Sequence, residues 1–199
     1  MNKLLFSLIG IFCFSLSLEA NDSTSFLSKI YLPCNWGFSN SINNKLSSGF
    51  LFKTGVEYRL HKEEGIFFQF NLDNHSSKFN LNFYQTTNVN NGVLRFSDYS
   101  LGIGLRLGKK KLKSYGLIQG GTTFIRFPKI NNNPAIIYVE EKSKSMLVLK
   151  SSLGLEYYIV ESLCFVIDFG YAIIPKEMDF WGKQCQFYSV SLGLTTKLF

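Results

Sequence analysis

The sequence predicts an all-β protein: an eight-stranded antiparallel up-and-down transmembrane β-barrel, preceded by a signal peptide. Three observations predict it: an apolar amino-terminal run of limited length, period-2 alternation in segment after segment, and connections that alternate between short and long. Composition agrees. The 199 residues include 20 Phe, 10 Tyr and 16 Gly but only 4 Pro, and 18% are charged, with a formal net charge of +7. Aromatic rings pack well on a pleated surface, and a chain of this length has room for one domain with a sizeable core.

The amino terminus reads as an export signal over 1–20. Met1-Asn2-Lys3 is a short basic start, Leu4 to Leu18 an apolar run, and Glu19-Ala20-Asn21 a polar exit. The run is short for a membrane span, and no stretch of 18 apolar residues follows it. Cleavage after Ala20 leaves a mature barrel domain over 21–199. A cut after Ser17 and an uncleaved anchor are the alternatives. Phe12 is too bulky beside Cys13 for a lipoprotein attachment site. With Cys13 removed, Cys34, Cys164 and Cys185 remain, an odd number without metal-type spacing. They read as small apolar residues with at most one opportunistic pair, so neither a disulfide framework nor a metal site is expected.

Alternation is clearest from Phe50 to Leu60. Phe50, Phe52, Val56, Tyr58 and Leu60 fall on one face; Lys53, Gly55, Glu57 and Arg59 fall on the other. Similar segments lie near 66–74, 96–108, 144–159, 163–173 and 187–198, with weaker ones at 29–38 and 114–127, making eight strands. The connections, 39–48, 61–65, 74–94, 109–113, 128–143, 160–162 and 174–186, alternate long and short. Turns on one side and loops on the other belong to barrels of the bacterial outer membrane, with the loops outside. Runs such as Asn88-Val89-Asn90-Asn91-Gly92 and Asn131-Asn132-Asn133-Pro134 carry loop chemistry. A short repeat begins at Gly55, Gly102, Gly154 and Gly193, always on an even-numbered strand, where inward glycines make room for side chains from opposite walls.

Facing the apolar phase to lipid leaves a polar interior: Asn35, Lys53, Glu57, Arg59, Gln69, Asn71, Asp73, Asp98, Ser100, Arg106, Lys150, Glu156, Asp168, Ser191 and Lys197. Buried charges without partners are very costly, so this near-balanced set is expected to form ion pairs that fill the lumen. Trp36, Phe38, Tyr58, Tyr115, Tyr157 and Tyr171 are expected on or near the outer face as interface aromatics. Two segments resist. The strand near 114–127 has no clean phase, which predicts a bulge near Gly120-Gly121. Pro33 falls inside the first strand, which a closed barrel tolerates only with a local distortion.

The last strand, Ser189-Val190-Ser191-Leu192-Gly193-Leu194-Thr195-Thr196-Lys197-Leu198-Phe199, alternates and closes on an aromatic residue. With the signal peptide and the Gly repeats, it resembles the small OmpA/OmpX-type outer-membrane barrel family. The resemblance covers the mature chain in pattern and implies recognition of the final strand by the barrel-assembly machinery. Phe199 departs from it, lying in the phase opposite to Val190, Leu192, Leu194 and Leu198.

Chemistry is sparse. His61 sits in a turn with Lys62, Glu63 and Glu64. His75 and Ser77 share a strand face at the outer end of the third strand, so the weak catalytic alternative is a nucleophile with its base. Small barrels similar to lipid A deacylases use a His and a Ser on one wall, but theirs lie near the carboxy-terminal strands. Lys109-Lys110-Lys111-Leu112-Lys113 lacks interleaved aromatics and lies in a predicted turn, so it reads as a solvated turn and not a nucleic-acid site. No cofactor fingerprint is present. The expected partners are outer-membrane lipid, the assembly machinery and an unknown surface ligand, with a monomeric barrel. The first functional expectation is a non-enzymatic barrel serving surface interaction or envelope integrity; the others are an outer-leaflet lipid-modifying enzyme and a narrow solute channel.

Overall fold

The structure is a computed structural model that describes residues 26–42, 46–61, 65–80, 91–133, 136–176 and 184–198. The proposed signal at 1–20 and Phe199 lie outside the described residues. After a single 3-10 turn at Leu27–Lys29, eight strands follow: β1 Ile30–Ser41, β2 Gly49–Arg59, β3 Gly65–Asn80, β4 Asn91–Lys109, β5 Leu112–Asn133, β6 Ile136–Val160, β7 Leu163–Ile174 and β8 Cys185–Lys197. Each pairs antiparallel with the next, and β8 returns to β1 to close the barrel. Closure pairs every strand on both sides, the condition for β-structure to cross hydrocarbon.

Side-chain parity follows the pleat. Toward the end where 60–64, 110–111 and 161–162 join strands (the turn end), all eight strands present apolar residues outward. Val56, Phe68, Leu101, Ile103, Leu105, Ile118, Leu153, Leu155, Phe169 and Leu192 are among those exposed. The alternate positions hold Asn35, Glu57, Arg59, Gln69, Asn71, Asp73, Asp98, Ser100, Arg106, Glu156, Asp168 and Ser191, all buried in the lumen. A soluble barrel with an apolar interior is thereby excluded for this part of the molecule.

Toward the other end (the loop end) apolar residues enter the lumen and polar ones appear on the outer face, although Phe38, Ile42, Phe50, Val93 and Tyr188 stay exposed there. On β4, Leu105, Ile103, Leu101 and Tyr99 point outward, but the next outward residues are Ser97 and Arg95, while Phe96 and Leu94 are buried inside. Ile125 on β5, Met146 and Val148 on β6, Ile174 on β7 and Cys185 and Phe187 on β8 join Phe96, Leu94 and Leu46 in one apolar cluster within the lumen. The physical reason is the change of solvent. Where lipid surrounds the wall, apolar groups gain nothing by pointing inward. Where water surrounds it, burial of the same groups becomes favourable and an ordinary core forms.

Strand lengths agree. A membrane-spanning strand needs about 9–11 residues. β5 has 22 and β6 has 25. Their ladder runs unbroken to Asn133↔Ile136. This corrects the expected loop at 128–143: most of it is paired strand, so the connection there is not a long one. The 74–94 connection likewise shrinks, because β3 reaches Asn80 and β4 begins at Asn91. Asn and Pro marked the tip of a hairpin, and cross-strand pairing overrode loop composition on its flanks.

The other expectations divide. No bulge interrupts β5 at Gly120-Gly121; the β4–β5 and β5–β6 registers are continuous there, with Gln119 inside and Arg126 outside. The mixed phase of that strand is the polarity exchange itself. The register shift in the β6–β7 ladder lies instead between Tyr158 and Val160. Pro33 does interrupt a ladder: β1 pairs with β2 at Tyr31↔Glu57 and again at Cys34↔Thr54, with no pair at Leu32 or Pro33 between them. Tyr115 was expected outside and points inward. Lys113, expected in a solvated turn, is buried in the lumen, whereas Lys110 and Lys111 are exposed.

Candidate functional site

The lumen is built in three layers. Nearest the turn end, two carboxylates and two guanidiniums alternate. Arg106 meets Glu156 through Nε–Oε2 and Nη2–Oε1, both at 2.9 Å, and reaches Glu57 Oε1 from Nη2 at 2.7 Å. Arg59 donates to Glu57 through Nε and to Tyr158 Oη through Nη1 at 2.5 Å. Tyr158 Oη in turn donates to Glu156 Oε2 at 3.0 Å. The cations also lie on aromatic faces: Arg59 is 3.4 Å from the Tyr31 centroid and Arg106 is 4.7 Å from that of Phe67. Bidentate and charge-assisted bonds of this kind offset the cost of taking both charges out of water.

The middle layer holds Lys53, Asp73, Asp98, Tyr115, Lys150 and Asp168. Lys53 Nζ lies 2.5 Å from Asp168 Oδ1, and Tyr115 Oη donates to Asp168 Oδ2 at 2.6 Å. Lys150 Nζ bridges Asp73 Oδ2 at 2.8 Å and Asp98 Oδ2 at 2.6 Å, two carboxylates placed opposite each other by the β3–β4 register. Beside them is a cavity of about 50 Å³, room for roughly three water molecules and too small for a solute. The apolar cluster forms the third layer above it.

His75 and Ser77 lie where the middle layer meets the apolar one. As the strand parity requires, both side chains point into the lumen, and both are buried. His75 stacks on Phe96 at 4.4 Å, meets the edge of Phe187 at 5.0 Å, and has Nε2 3.8 Å from Asp98 Oδ2. Neither His75 Nδ1 nor Ser77 Oγ has a hydrogen-bond partner among the described residues, so the two do not form a hydrogen-bonded pair here. Their wall is the inner one, away from acyl chains. His61 is exposed at the turn end. No group of His, Cys, Asp and Glu suited to a metal occurs among the described residues, and no disulfide joins Cys34, Cys164 and Cys185.

Sequence reasoning placed the ion-paired members of this lumen but missed Lys113 and the aromatic ones. Tyr115 and Tyr158 carry hydroxyls to buried carboxylates, and Gly154 makes the space: a Cβ there would come within 2.2 Å of the Tyr115 ring. The available signal was the register, since Tyr115 stands directly opposite Gly154 in the β5–β6 ladder.

A scan against protein-family models and a search of curated proteins find no match. Solved structures do match. The chain is similar to neisserial surface protein A, with 12% identity and a TM-score of 0.59 over 85% of this chain and 97% of that one. It is also similar to the outer membrane protein OprG from Pseudomonas aeruginosa, with 10% identity and a TM-score of 0.53 over 85% of this chain and 95% of that one. The likeness is one of fold. The architecture is that of the small outer-membrane β-barrels.

Proposed function

We propose that this chain is a non-enzymatic, monomeric protein of a bacterial outer membrane whose loop end faces outside and meets a surface partner. Its first 20 residues direct export and are removed, and its last strand is read by the barrel-assembly machinery. The observation that carries this reading is the β5–β6 ladder, which continues to Asn133 and Ile136 while the wall around it turns from apolar to polar and its interior becomes a packed core. From Ile125 to Asn133 the strand has nine further residues, about 30 Å of extended chain. A barrel needed only to span lipid has no use for this length.

The alternatives draw less support. A solute channel requires a continuous aqueous path, and here two ionic layers and an apolar layer occupy the lumen. An outer-leaflet hydrolase requires its nucleophile to meet an acyl ester, and Ser77 is fully buried inside the wall.

The experiment is complementation of a deletion strain with the full chain or with a chain in which 128–142 is replaced by a two-residue turn. The shortened barrel is expected to insert and to fail in restoring the surface phenotype. Full restoration would place the function in the barrel body. Intact mass of the membrane-extracted protein tests export separately: a mass that retains 1–20 would contradict removal of the signal.

A further inference from the structure

We propose that Arg95 and Arg126 bind the phosphate of an anionic outer-leaflet glycolipid against the outer wall of the barrel. The proposal rests on the outer-membrane reading above and goes beyond it by naming a lipid site.

Three outward rows cross β3 to β6 at this height, each fixed by the register. The first is Leu72, Tyr99, Thr122 and Leu147. Next comes Asn74, Ser97, Phe124 and Ser145, in which Ser97 Oγ donates to Asn74 Oδ1 at 2.9 Å. The third is Ser76, Arg95, Arg126 and Ser143. Along β3 and β4 polarity thus rises from Leu72 and Tyr99 through Asn74 and Ser97 to Ser76 and Arg95. Phe124 keeps the middle row partly aromatic, and Val93 is exposed beyond Arg95. The rings of Tyr99 and Phe124 pack edge to face, 5.6 Å apart, beneath the arginines. That gradient is the profile of a leaflet: acyl chains below, headgroup above.

The two arginines are direct cross-strand partners, and both are exposed. Opposed residues have Cβ atoms roughly 5 Å apart, and like charges so placed destabilise a sheet. The chain supplies no remedy among its described side chains. The strand carboxylates Glu57, Asp73, Asp98, Glu156 and Asp168 are all buried in the lumen. Nor do the ion pairs among the described residues include either arginine. A phosphate removes the repulsion, because each guanidinium presents a planar fork that matches phosphate oxygens. Lys78, exposed two residues beyond Ser76 on the same outward face, adds a third cation.

A surface groove of about 410 Å³ opens beside the pair, lined by Phe50, Phe52, Asn74, Ser76, Arg95 and Arg126. Its phenyl floor suits the first part of an acyl chain, and its basic rim suits the attached headgroup. On the opposite side of the barrel the described rim carries Lys176 just past β7, and Asn40 Nδ2 donates to Tyr188 Oη at 3.0 Å.

The test uses the full mature barrel folded into phosphatidylcholine vesicles that contain either bis-phosphorylated or phosphate-free lipid A. The proteins are then extracted in mild detergent, and the retained glycolipid is counted by native mass spectrometry. Lipid is present in both leaflets, so the result does not depend on which end of the barrel faces out. Wild type is expected to retain the phosphorylated form about tenfold or more over the other, as loss of charged hydrogen bonds would dictate. Arg95→Gln with Arg126→Gln should abolish the preference, whereas Lys110→Gln with Lys111→Gln at the turn end should leave it intact. Both pairs are exposed, and a heat-dependent gel shift scores their folding. Equal retention of the two glycolipids by wild type, or an unchanged preference in the double arginine variant, overturns the proposal. So does complete stripping by excess inorganic phosphate, which would make this a free-anion site. Failure of wild type to insert at all would instead overturn the membrane reading, and the lipid site with it.

Discussion

Arg106 and Glu156 form the most heavily bonded pair in the lumen, and the consequence of breaking it follows from what would be left. Glu156 is 1% exposed and accepts from Arg106 twice and from Tyr158 once. Glu156→Leu leaves Arg106 with Glu57 alone and Arg59 without its second carboxylate. Breaking a buried pair on one side is expected to cost roughly 3–5 kcal/mol, read from urea unfolding in lipid vesicles. A neutral result would mean that the lumen is hydrated. Packing gives a second residue-scale prediction. Gly154→Val places a Cβ in the Tyr115 ring and levers its hydroxyl away from Asp168, an overpacking cost of about 1–3 kcal/mol. Because the two residues share one space, Tyr115→Ala combined with Gly154→Val should destabilise by less than the sum of the separate changes. Strict additivity in that cycle would contradict the assigned contact.

At the scale of strands, the same substitution should behave differently on one face of one element. Leu155 and Ser145 both point outward from β6. Leu155→Arg within the apolar band is expected to cost about 2–4 kcal/mol through desolvation in the bilayer. Ser145→Arg, beyond the band, should fall within roughly ±0.5 kcal/mol, as solvated surface changes do. Equal costs would mean that lipid extends over the whole strand. This dependence on position also explains what could be read from the sequence. Near the turn end, period-2 alternation has one meaning, and the inward set from Asn35 to Ser191 was legible in it. Past Tyr99, alternation continues but its sense reverses, so Phe96, Ile125 and Val148 point inward by the same parity that sends Leu101, Ile118 and Leu149 outward. A rule of apolar-to-lipid misreads such a strand as irregular, which is why β5 suggested a bulge. The outward arginines were hidden for the same reason: Arg126 looked like a phase error when it was the first sign of water. The extent of the β5–β6 hairpin was not legible, because Asn131-Asn132-Asn133 has turn composition and only its cross-strand pairs reveal strand.

For the whole molecule, the stacked contents of the lumen decide between a wall and a pore. An eight-stranded barrel is just wide enough for side chains to fill. Here the filling is layered: salt-bridged guanidiniums at the turn end, a small polar cavity at mid-height, and Phe96, Ile125, Met146 and Phe187 toward the loop end. An ion would have to displace paired charges at one end and leave water altogether at the other, so neither layer alone need be perfect for the barrel to be closed. Planar bilayers containing the purified protein are therefore expected to show no stable open conductance. Opening should require both barriers to fail. Glu156→Leu alone loosens the ionic layer but keeps the apolar one, and Phe96→Ser with Phe187→Ser wets the apolar layer but keeps the ion pairs, so each is expected to remain closed or to flicker. Combining the three changes should give a measurable current if the variant still folds, which its heat-dependent gel shift would report. Steady conductance in the wild type would make the lumen an aqueous path and return the channel reading to first place. Orientation is tested on the same protein: a tag inserted at Asn132 should label on intact cells and one at Lys110 should not, and the reverse pattern would put the arginine row in the inner leaflet.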